Sequence, residues 1–130
     1  MNQRSSRPRV LVVDDEPIIR RFAAQILTAA GYDVLTAVDG QEAQTIAFHA
    51  DAGLSLVLTD LRMPNLDGLE LGRVLATFRP DLPVLYISGY GAIGSAVDIP
   101  ASDFIAKPFH PDQLLAEVHR LVPLQNRPFA

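Results

Sequence analysis

Short apolar runs rich in β-branched residues alternate along this chain with longer segments of helical periodicity. Such alternation is typical of strands and helices wound around a parallel sheet. We predict strands at residues 10–13, 33–37, 54–59, 84–88 and 104–106. Residues 54–59 are almost wholly apolar, as expected of a central parallel strand that is covered on both faces. The sequence therefore predicts an α/β fold, a single domain with a doubly wound five-stranded parallel sheet.

Helical segments fill most of the gaps between these strands. Pro17 suits the first turn of a helix that Gly31 ends, and further helices are predicted at residues 41–48, 69–78 and 111–122. Between the fourth and fifth strands, three glycines and Pro100 leave room for only a short helix near residues 93–97. We therefore expect a shortened fourth helix region.

Composition limits the classes of function. With 130 residues, 48% of them hydrophobic, the chain suffices for one domain, which we place at residues 9–122 between a disordered leader, 1–8, and a C-terminal tail, 123–130. The net charge of −4 argues against a nucleic-acid partner. No apolar stretch approaches the roughly 20 residues of a membrane-spanning helix, so we expect no membrane insertion and a cytoplasmic location. The absence of cysteine excludes thiol chemistry.

In open parallel sheets, ligands bind at the carboxyl ends of the strands. Charged and hydroxyl side chains stand at four of these ends: Asp14, Asp15, Glu16, Asp60, Ser88 and Lys107. We expect three of these carboxylates, a hydroxyl and an ammonium to converge there. Closely packed carboxylates stay ionised beside a hard cation with oxygen ligands or beside a basic group, and Mg²⁺ meets the first need while leaving room for phosphate oxygens. The set suits phosphoryl transfer with Asp60 as the nucleophile.

At these positions the chain resembles a known family. The segments that carry the resemblance are Val12-Val13-Asp14-Asp15-Glu16, Leu58-Thr59-Asp60-Leu61-Arg62-Met63-Pro64, Asp67-Gly68 and Lys107-Pro108-Phe109. In this order they resemble the response-regulator receiver domain family of two-component signalling, over about residues 9 to 122. The resemblance implies a flavodoxin-like receiver fold.

The resemblance also implies roles for individual residues. It makes Asp60 the phosphoacceptor, Asp15 a direct Mg²⁺ ligand, Asp14 a mainly water-mediated ligand and the backbone carbonyl of Arg62 a further ligand. Lys107 would pair with the phosphoryl group, and the bond between Lys107 and Pro108 would be cis.

Other implied roles concern switching and the lifetime of the phosphoryl group. Ser88 takes the position of the switch hydroxyl, and Phe104 that of the aromatic switch residue, with the ring but without a tyrosine hydroxyl. Arg62, Gly89 and Tyr90 flank the path of attacking water, so a stacked pair of Arg62 and Tyr90 would slow hydrolysis while the missing side chain at Gly89 would favour it.

The implied function is that of a signalling phosphoacceptor that assists its own phosphorylation and dephosphorylation, and not that of an enzyme. The donor would be a phosphohistidine on a histidine kinase or a histidine phosphotransfer protein, and the output would be a changed surface that binds a protein effector. The Ser88-Gly89-Tyr90-Gly91 segment is similar to receivers of hybrid kinases and to some stand-alone receivers, and this choice stays open.

Two alternatives belong to other classes. An aspartate-nucleophile phosphatase shares the metal-bound carboxylate chemistry. Such enzymes carry a DxD pattern at the end of the first strand, whereas here Asp14 and Asp15 are adjacent and the solitary Asp60 ends the third strand. A nucleotide-binding module would use Gly89, Gly91 and Gly94, which formally match GxGxxG but follow the fourth strand and open no long helix.

Overall fold

The computed structural model of the protein describes residues 7–49, 52–63, 66–89 and 104–124. The described elements are, in chain order, β1 (Arg9–Val13), α1 (Pro17–Ala30), β2 (Asp33–Ala37), α2 (Gly40–Phe48), β3 (Leu56–Asp60), α3 (Gly68–Phe78), β4 (Val84–Ser88), β5 (Phe104–Ala106) and α4 (Pro111–Leu121). All five strands are parallel, in the order β2-β1-β3-β4-β5. The predicted α/β fold with a five-stranded parallel sheet is confirmed.

The sheet is covered on both faces because alternate residues of each strand point to opposite sides. In β1, Val10 and Val12 join a cluster with residues of α1 and α4, whereas Leu11 and Val13 join a second cluster with residues of α2 and α3. Every residue of β3 is buried, which explains its unbroken apolar sequence. None of the described helices is both long and apolar enough to span a membrane.

Caps and ladder bonds set the element boundaries. The side chains of Asp39 and Asp67 accept hydrogen bonds, each of 2.9 Å, from the third residue beyond them, so α2 and α3 begin one residue earlier than predicted. The predicted start of the third strand at residue 54 was wrong by two residues, because ladder pairing with β1 begins at Leu56. The predicted short helix near residues 93–97, and with it the shortened helix region, lies outside the described residues.

The beginning of α3 packs against the end of β3. The backbone N–H of Gly68 donates to the carbonyl of Leu61 at 2.9 Å. A Cβ atom at Gly68 would overlap the carbonyl oxygen of Asp60 and lie 3.0 Å from the Cα of Leu61. Glycine is therefore required where the helix meets the strand that carries Asp60, and this close approach fixes the strand end relative to the helix.

Replacement of Gly68 by alanine tests this contact. Although alanine is the better helix former, we expect Gly68→Ala to lower the free energy of unfolding by roughly 1 to 3 kcal/mol, because backbone atoms must move to admit the methyl group. Urea denaturation of the purified variants measures the change. Gly89→Ala is the matched control, since a Cβ there meets no atom within 4 Å. Equal unfolding midpoints for the two variants would contradict the close approach.

Candidate functional site

Three carboxylates meet at the carboxyl edge of the sheet. One oxygen from each of Asp14, Asp15 and Asp60 lies within 4.8 Å of the others. Strand pairing causes this convergence, because Val13 and Thr59 are partners in the ladder between β1 and β3, and the next residue of each chain segment is an aspartate. Asp14 and Asp60 are buried, whereas Asp15 is exposed.

The ammonium of Lys107 lies among these carboxylates. Its Nζ is 3.3 Å from Oδ2 of Asp60, 3.4 Å from Oδ2 of Asp14 and 3.1 Å from Oε1 of Glu16. The N–H of Lys107 donates to the carbonyl of Ser88 at 2.8 Å, which positions the lysine backbone beside the end of β4. The following bond to Pro108 is cis, as expected. The structure thus brings together the predicted ammonium and the three predicted carboxylates.

Backbone contacts hold the loop after β1. Oδ1 of Asp14 accepts a 2.9 Å hydrogen bond from the N–H of Glu16, and Nη1 of Arg20 donates to the carbonyl of Asp14 at 2.8 Å. Sequence reasoning missed the contact from Arg20 and that from Glu16 to Lys107. The position of Glu16 beside Asp15 at the same strand end was a signal for the latter, whereas the arginine, one turn into α1, gave none.

The site is electrostatically costly without a further cation. The pKa of Asp14 is raised from 3.8 to about 6, mainly by burial and also by the charge of Asp60, although a hydrogen bond from the Glu16 backbone and the charge of Lys107 oppose the rise. Oδ2 of Asp14 is buried and has no hydrogen-bond partner, because its 3.4 Å approach to Lys107 is an ion pair without hydrogen-bond geometry. Burial also raises the pKa of Asp60, although Lys107 opposes this shift.

Lys107 responds in the opposite sense to these charges. Burial alone would lower the pKa of its ammonium, but the hydrogen bond to Glu16 and the charges of Asp14 and Asp60 outweigh burial and raise it. Lys107 is therefore charged at neutral pH. One ammonium faces more than one carboxylate, so negative charge remains in excess.

The donor set fits a hard divalent cation. Three carboxylates within 4.8 Å of one another supply oxygen ligands. The orphaned Oδ2 of Asp14 needs a partner, and a cation or its bound water would satisfy it. The acidic cluster can therefore hold a metal such as Mg²⁺, with Asp15 open to solvent on one side.

The other predicted site residues lie around the carboxylate cluster or outside the described residues. Ser88 is buried at the end of β4, and its hydroxyl donates to the carbonyl of Gly89 at 3.1 Å, a local bond in place of one within the carboxylate cluster. Phe104 is buried, with its ring centroid 5.8 Å from that of Tyr86. The backbone N–H of the exposed Arg62 hydrogen-bonds to the Asp60 carboxylate. Three predicted residues lie outside the described part of the chain: Tyr90, Gly91 and Gly94.

Comparison with known proteins decides the family. The family model of the response regulator receiver domain matches residues 10–119. The chain belongs to this family. Its sheet order is that of the receiver, or flavodoxin-like, fold, and the family places the domain in two-component signalling.

Individual relatives agree with this assignment. The receiver domain is 38% identical over 136 residues to the C4-dicarboxylate transport transcriptional regulatory protein DctD of Rhizobium meliloti (strain 1021), a match that covers 95% of this chain and 28% of that protein. The chain thus spans less than a third of that relative's length. A response regulator receiver domain protein from Clostridium thermocellum has a TM-score of 0.80 at 26% identity, covering 88% of this chain and 94% of that one.

A third relative was solved with ligands. The response regulator protein TrrA from Thermotoga maritima, in complex with Mg²⁺-BeF, has a TM-score of 0.78 at 31% identity, and the match covers 88% of this chain and 99% of that one.

The charge of Asp14 should destabilise the metal-free receiver. Because its pKa is higher in the folded state, the cost of ionisation is fully present above about pH 6 and disappears below the unfolded value of 3.8. We expect Asp14→Asn to raise the free energy of unfolding by on the order of 1 to 3 kcal/mol at pH 7.5 in EDTA, since asparagine keeps the oxygen that accepts from Glu16. The gain should shrink as pH falls towards 4.

Denaturant unfolding at several pH values measures this effect. Asp39→Asn is the control, because asparagine also caps a helix and this half-buried position lies outside the acidic cluster. A gain that did not depend on pH, or one equal to that of the control, would contradict the electrostatic explanation.

Proposed function

We propose that this receiver domain accepts a phosphoryl group onto Asp60 from a phosphohistidine donor and thereby switches a protein-binding surface. One observation carries the proposal: the Asp60 carboxylate lies at the end of β3 with an ammonium 3.3 Å away and two further carboxylates within 4.8 Å. This arrangement offers a nucleophile, a cation for the transferred group and a metal site at one edge of the sheet.

The chemistry is an in-line displacement at phosphorus. An oxygen of Asp60 forms a bond to phosphorus as the bond between phosphorus and the donor's imidazole nitrogen breaks, and the electron pair of that bond stays on nitrogen. Asp60 must be ionised to attack, and the backbone N–H of Arg62 and Lys107 both favour that form. Lys107 then pairs with the charge on the transferred group.

A divalent cation completes the proposed site. We assign Asp15 as a direct ligand, Asp14 as a mainly water-mediated ligand, and Asp60 and the carbonyl of Arg62 as further ligands. When bound, Mg²⁺ neutralises charge on the phosphoryl oxygens. The Thermotoga maritima relative was solved in complex with Mg²⁺-BeF, which supports a Mg²⁺ site in this chain.

The switch uses residues at the ends of β4 and β5. In the proposal, the Ser88 hydroxyl leaves the carbonyl of Gly89 and donates to the phosphoryl group. Since Ser88 and Ala106 are partners in the ladder between these strands, movement at Ser88 is transmitted to the strand that carries Phe104. The ring of Phe104 lies against Tyr86, so its rotation alters packing beside α3.

The domain bounds, the cellular location and the partners are also part of the proposed function. The phosphoacceptor unit spans residues 9–122, with the leader and the tail outside it, and it works in the cytoplasm. Its donor is a histidine kinase or a histidine phosphotransfer protein, and its effector is another protein or another part of a longer chain. Self-assisted phosphorylation and dephosphorylation set its signalling state without turnover of a separate substrate.

Incubation with acetyl phosphate and Mg²⁺, followed by intact-mass measurement, tests the function. We expect a gain of one phosphoryl group by the wild-type domain and no gain by Asp60→Asn or by Asp15→Ala. Asp15 is exposed, so its replacement should change the free energy of unfolding by less than about 0.5 kcal/mol. Asp39→Asn should be phosphorylated like the wild type.

Two outcomes would overturn the proposal. Phosphorylation of Asp60→Asn would exclude this residue as the acceptor, and Mg²⁺ binding with normal phosphorylation in Asp15→Ala would exclude the metal site. Sustained release of phosphate from a phosphorylated substrate would favour the phosphatase alternative instead.

The lifetime of the phosphoryl group should depend on Arg62 and Tyr90. We expect Arg62→Ala and Tyr90→Ala each to change the dephosphorylation rate several-fold, a barrier change of about 1 kcal/mol, because the family resemblance implies that these two positions flank the path of water. Mg²⁺ affinity should stay nearly constant, since Arg62 offers the metal only its carbonyl. Phosphate release kinetics measure the rates, with Arg73→Ala as an exposed-arginine control. Unchanged lifetimes in both variants would refute the prediction.

A further inference from the structure

The contact between Lys107 and Glu16 has no part in the function proposed so far. Oε1 of Glu16 accepts from Nζ at 3.1 Å, which is shorter than the distances from Nζ to Asp60, 3.3 Å, and to Asp14, 3.4 Å. The group of carboxylates that could hold a metal does not include Glu16. Its side chain is 60% exposed, whereas those of Asp14 and Asp60 are 1% and 9% exposed.

The backbone of Glu16 is anchored independently of its side chain. Glu16 is the N-cap residue of α1 and its side chain makes no capping hydrogen bond. Its N–H donates to Oδ1 of Asp14 at 2.9 Å, and its carbonyl accepts from the N–H of Arg20 at 3.0 Å. The carboxylate can therefore reach across to Lys107, or turn to solvent, without disturbing the helix.

An incoming phosphoryl group must find a place on the same ammonium. A lysine ammonium has three N–H donors, and here it hydrogen-bonds to Glu16 and Asp60 and forms an ion pair with Asp14. Three carboxylates already lie 3.1 to 3.4 Å from Nζ, so a phosphoryl oxygen must compete with them for the ammonium. Glu16 is the most exposed of the three partners, so its carboxylate regains water most readily.

We propose that Glu16 is a positioning residue that holds the Lys107 ammonium in the resting domain and competes with the incoming phosphoryl group for it. This inference rests on the proposed function, because it assigns Lys107 to the phosphoryl group. Release of Lys107 from Glu16 is then part of each phosphorylation event. The residue slows phosphorylation and weakens the binding of phosphoryl analogues.

We call the contact in which the Glu16 carboxylate holds the Lys107 ammonium the latch. Two substitutions distinguish the latch from simple repulsion between Glu16 and an anionic donor. Glu16→Gln removes both the negative charge and the strong contact with Lys107. Glu16→Asp keeps the charge but shortens the side chain by one methylene, which withdraws the carboxylate from the ammonium. A latch predicts that both variants are faster than the wild type, whereas repulsion of the anionic donor predicts that Glu16→Asp behaves like the wild type.

The first measurement is the rate of phosphorylation by acetyl phosphate at saturating Mg²⁺, followed by intact mass. We expect rates three- to tenfold above wild type in both variants, where tenfold corresponds to about 1.4 kcal/mol. The affinity for beryllofluoride with Mg²⁺ should rise by a similar factor. Glu117→Gln is the control for net charge, since its carboxylate pairs with Arg120 on α4. Because Glu16 is exposed, the gain should decrease at high salt.

A metal-free measurement examines the contact itself. Urea unfolding in EDTA of the Glu16→Gln, Lys107→Gln and double variants gives the coupling between the two side chains, and we expect a favourable coupling. Additive effects would overturn the proposal. If Glu16→Gln fails to fold, Glu16→Asp supplies both the kinetic and the binding comparison.

The outcomes distinguish this proposal from the proposed function. A wild-type domain that gains no phosphoryl group overturns both. A phosphorylated wild type with unchanged or slower rates in both Glu16 variants overturns the latch alone. The latch is also overturned, in favour of a general charge effect, if phosphorylation is accelerated in Glu117→Gln as much as in the Glu16 variants. The same holds if phosphorylation is faster in Glu16→Gln but not in Glu16→Asp.

Discussion

Mutual repulsion of carboxylates at the edge of the sheet is the constraint around which the rest of the molecule is organised. Asp14 and Asp60 are buried side by side, and Lys107 is shared between them and Glu16. Isolated in water, these groups would separate. They stay together because β1 and β3 are neighbouring strands whose residues are buried on both faces, and the apolar contacts of those faces outweigh the local electrostatic cost.

Backbone hydrogen bonds, and not the charged side chains, keep the site in register. Gly68 donates to the carbonyl of Leu61, the N–H of Leu61 donates to Ile87, and the N–H of Lys107 donates to Ser88. The first bond closes the loop between β3 and α3, and the other two tie the residues that follow β3 and β5 to the end of β4. The charged atoms are therefore held at fixed separations even though one of them, Oδ2 of Asp14, lacks a hydrogen-bond partner. Charged groups that lack partners and are held in place by the backbone bind a cation or a phosphoryl group most favourably, because they need not reorganise when it arrives.

Most of the fold could be predicted from the sequence because its signals are local. Alternation of apolar runs located the strands, and Asp39 and Asp67 marked helix starts through their capping bonds. The start of the third strand was misplaced because residue 54 is buried like a strand residue, yet ladder pairing begins only at Leu56. Burial and pairing have different causes, and an apolar pattern reports only the first.

The site was partly predictable for the same reason. The rule that strand ends converge placed Asp14, Asp60 and Lys107 together, but it carries no information on side-chain direction. It could not show that Glu16 turns towards the lysine, or that the Ser88 hydroxyl bonds to Gly89. These contacts depend on rotamers that the full set of neighbouring charges selects. Three carboxylates contact one ammonium and a fourth, that of Asp15, lies within 4.8 Å of two of them. An arriving dianion therefore meets net repulsion until a cation binds, and under the proposed function the metal must be bound before the phosphoryl group can transfer.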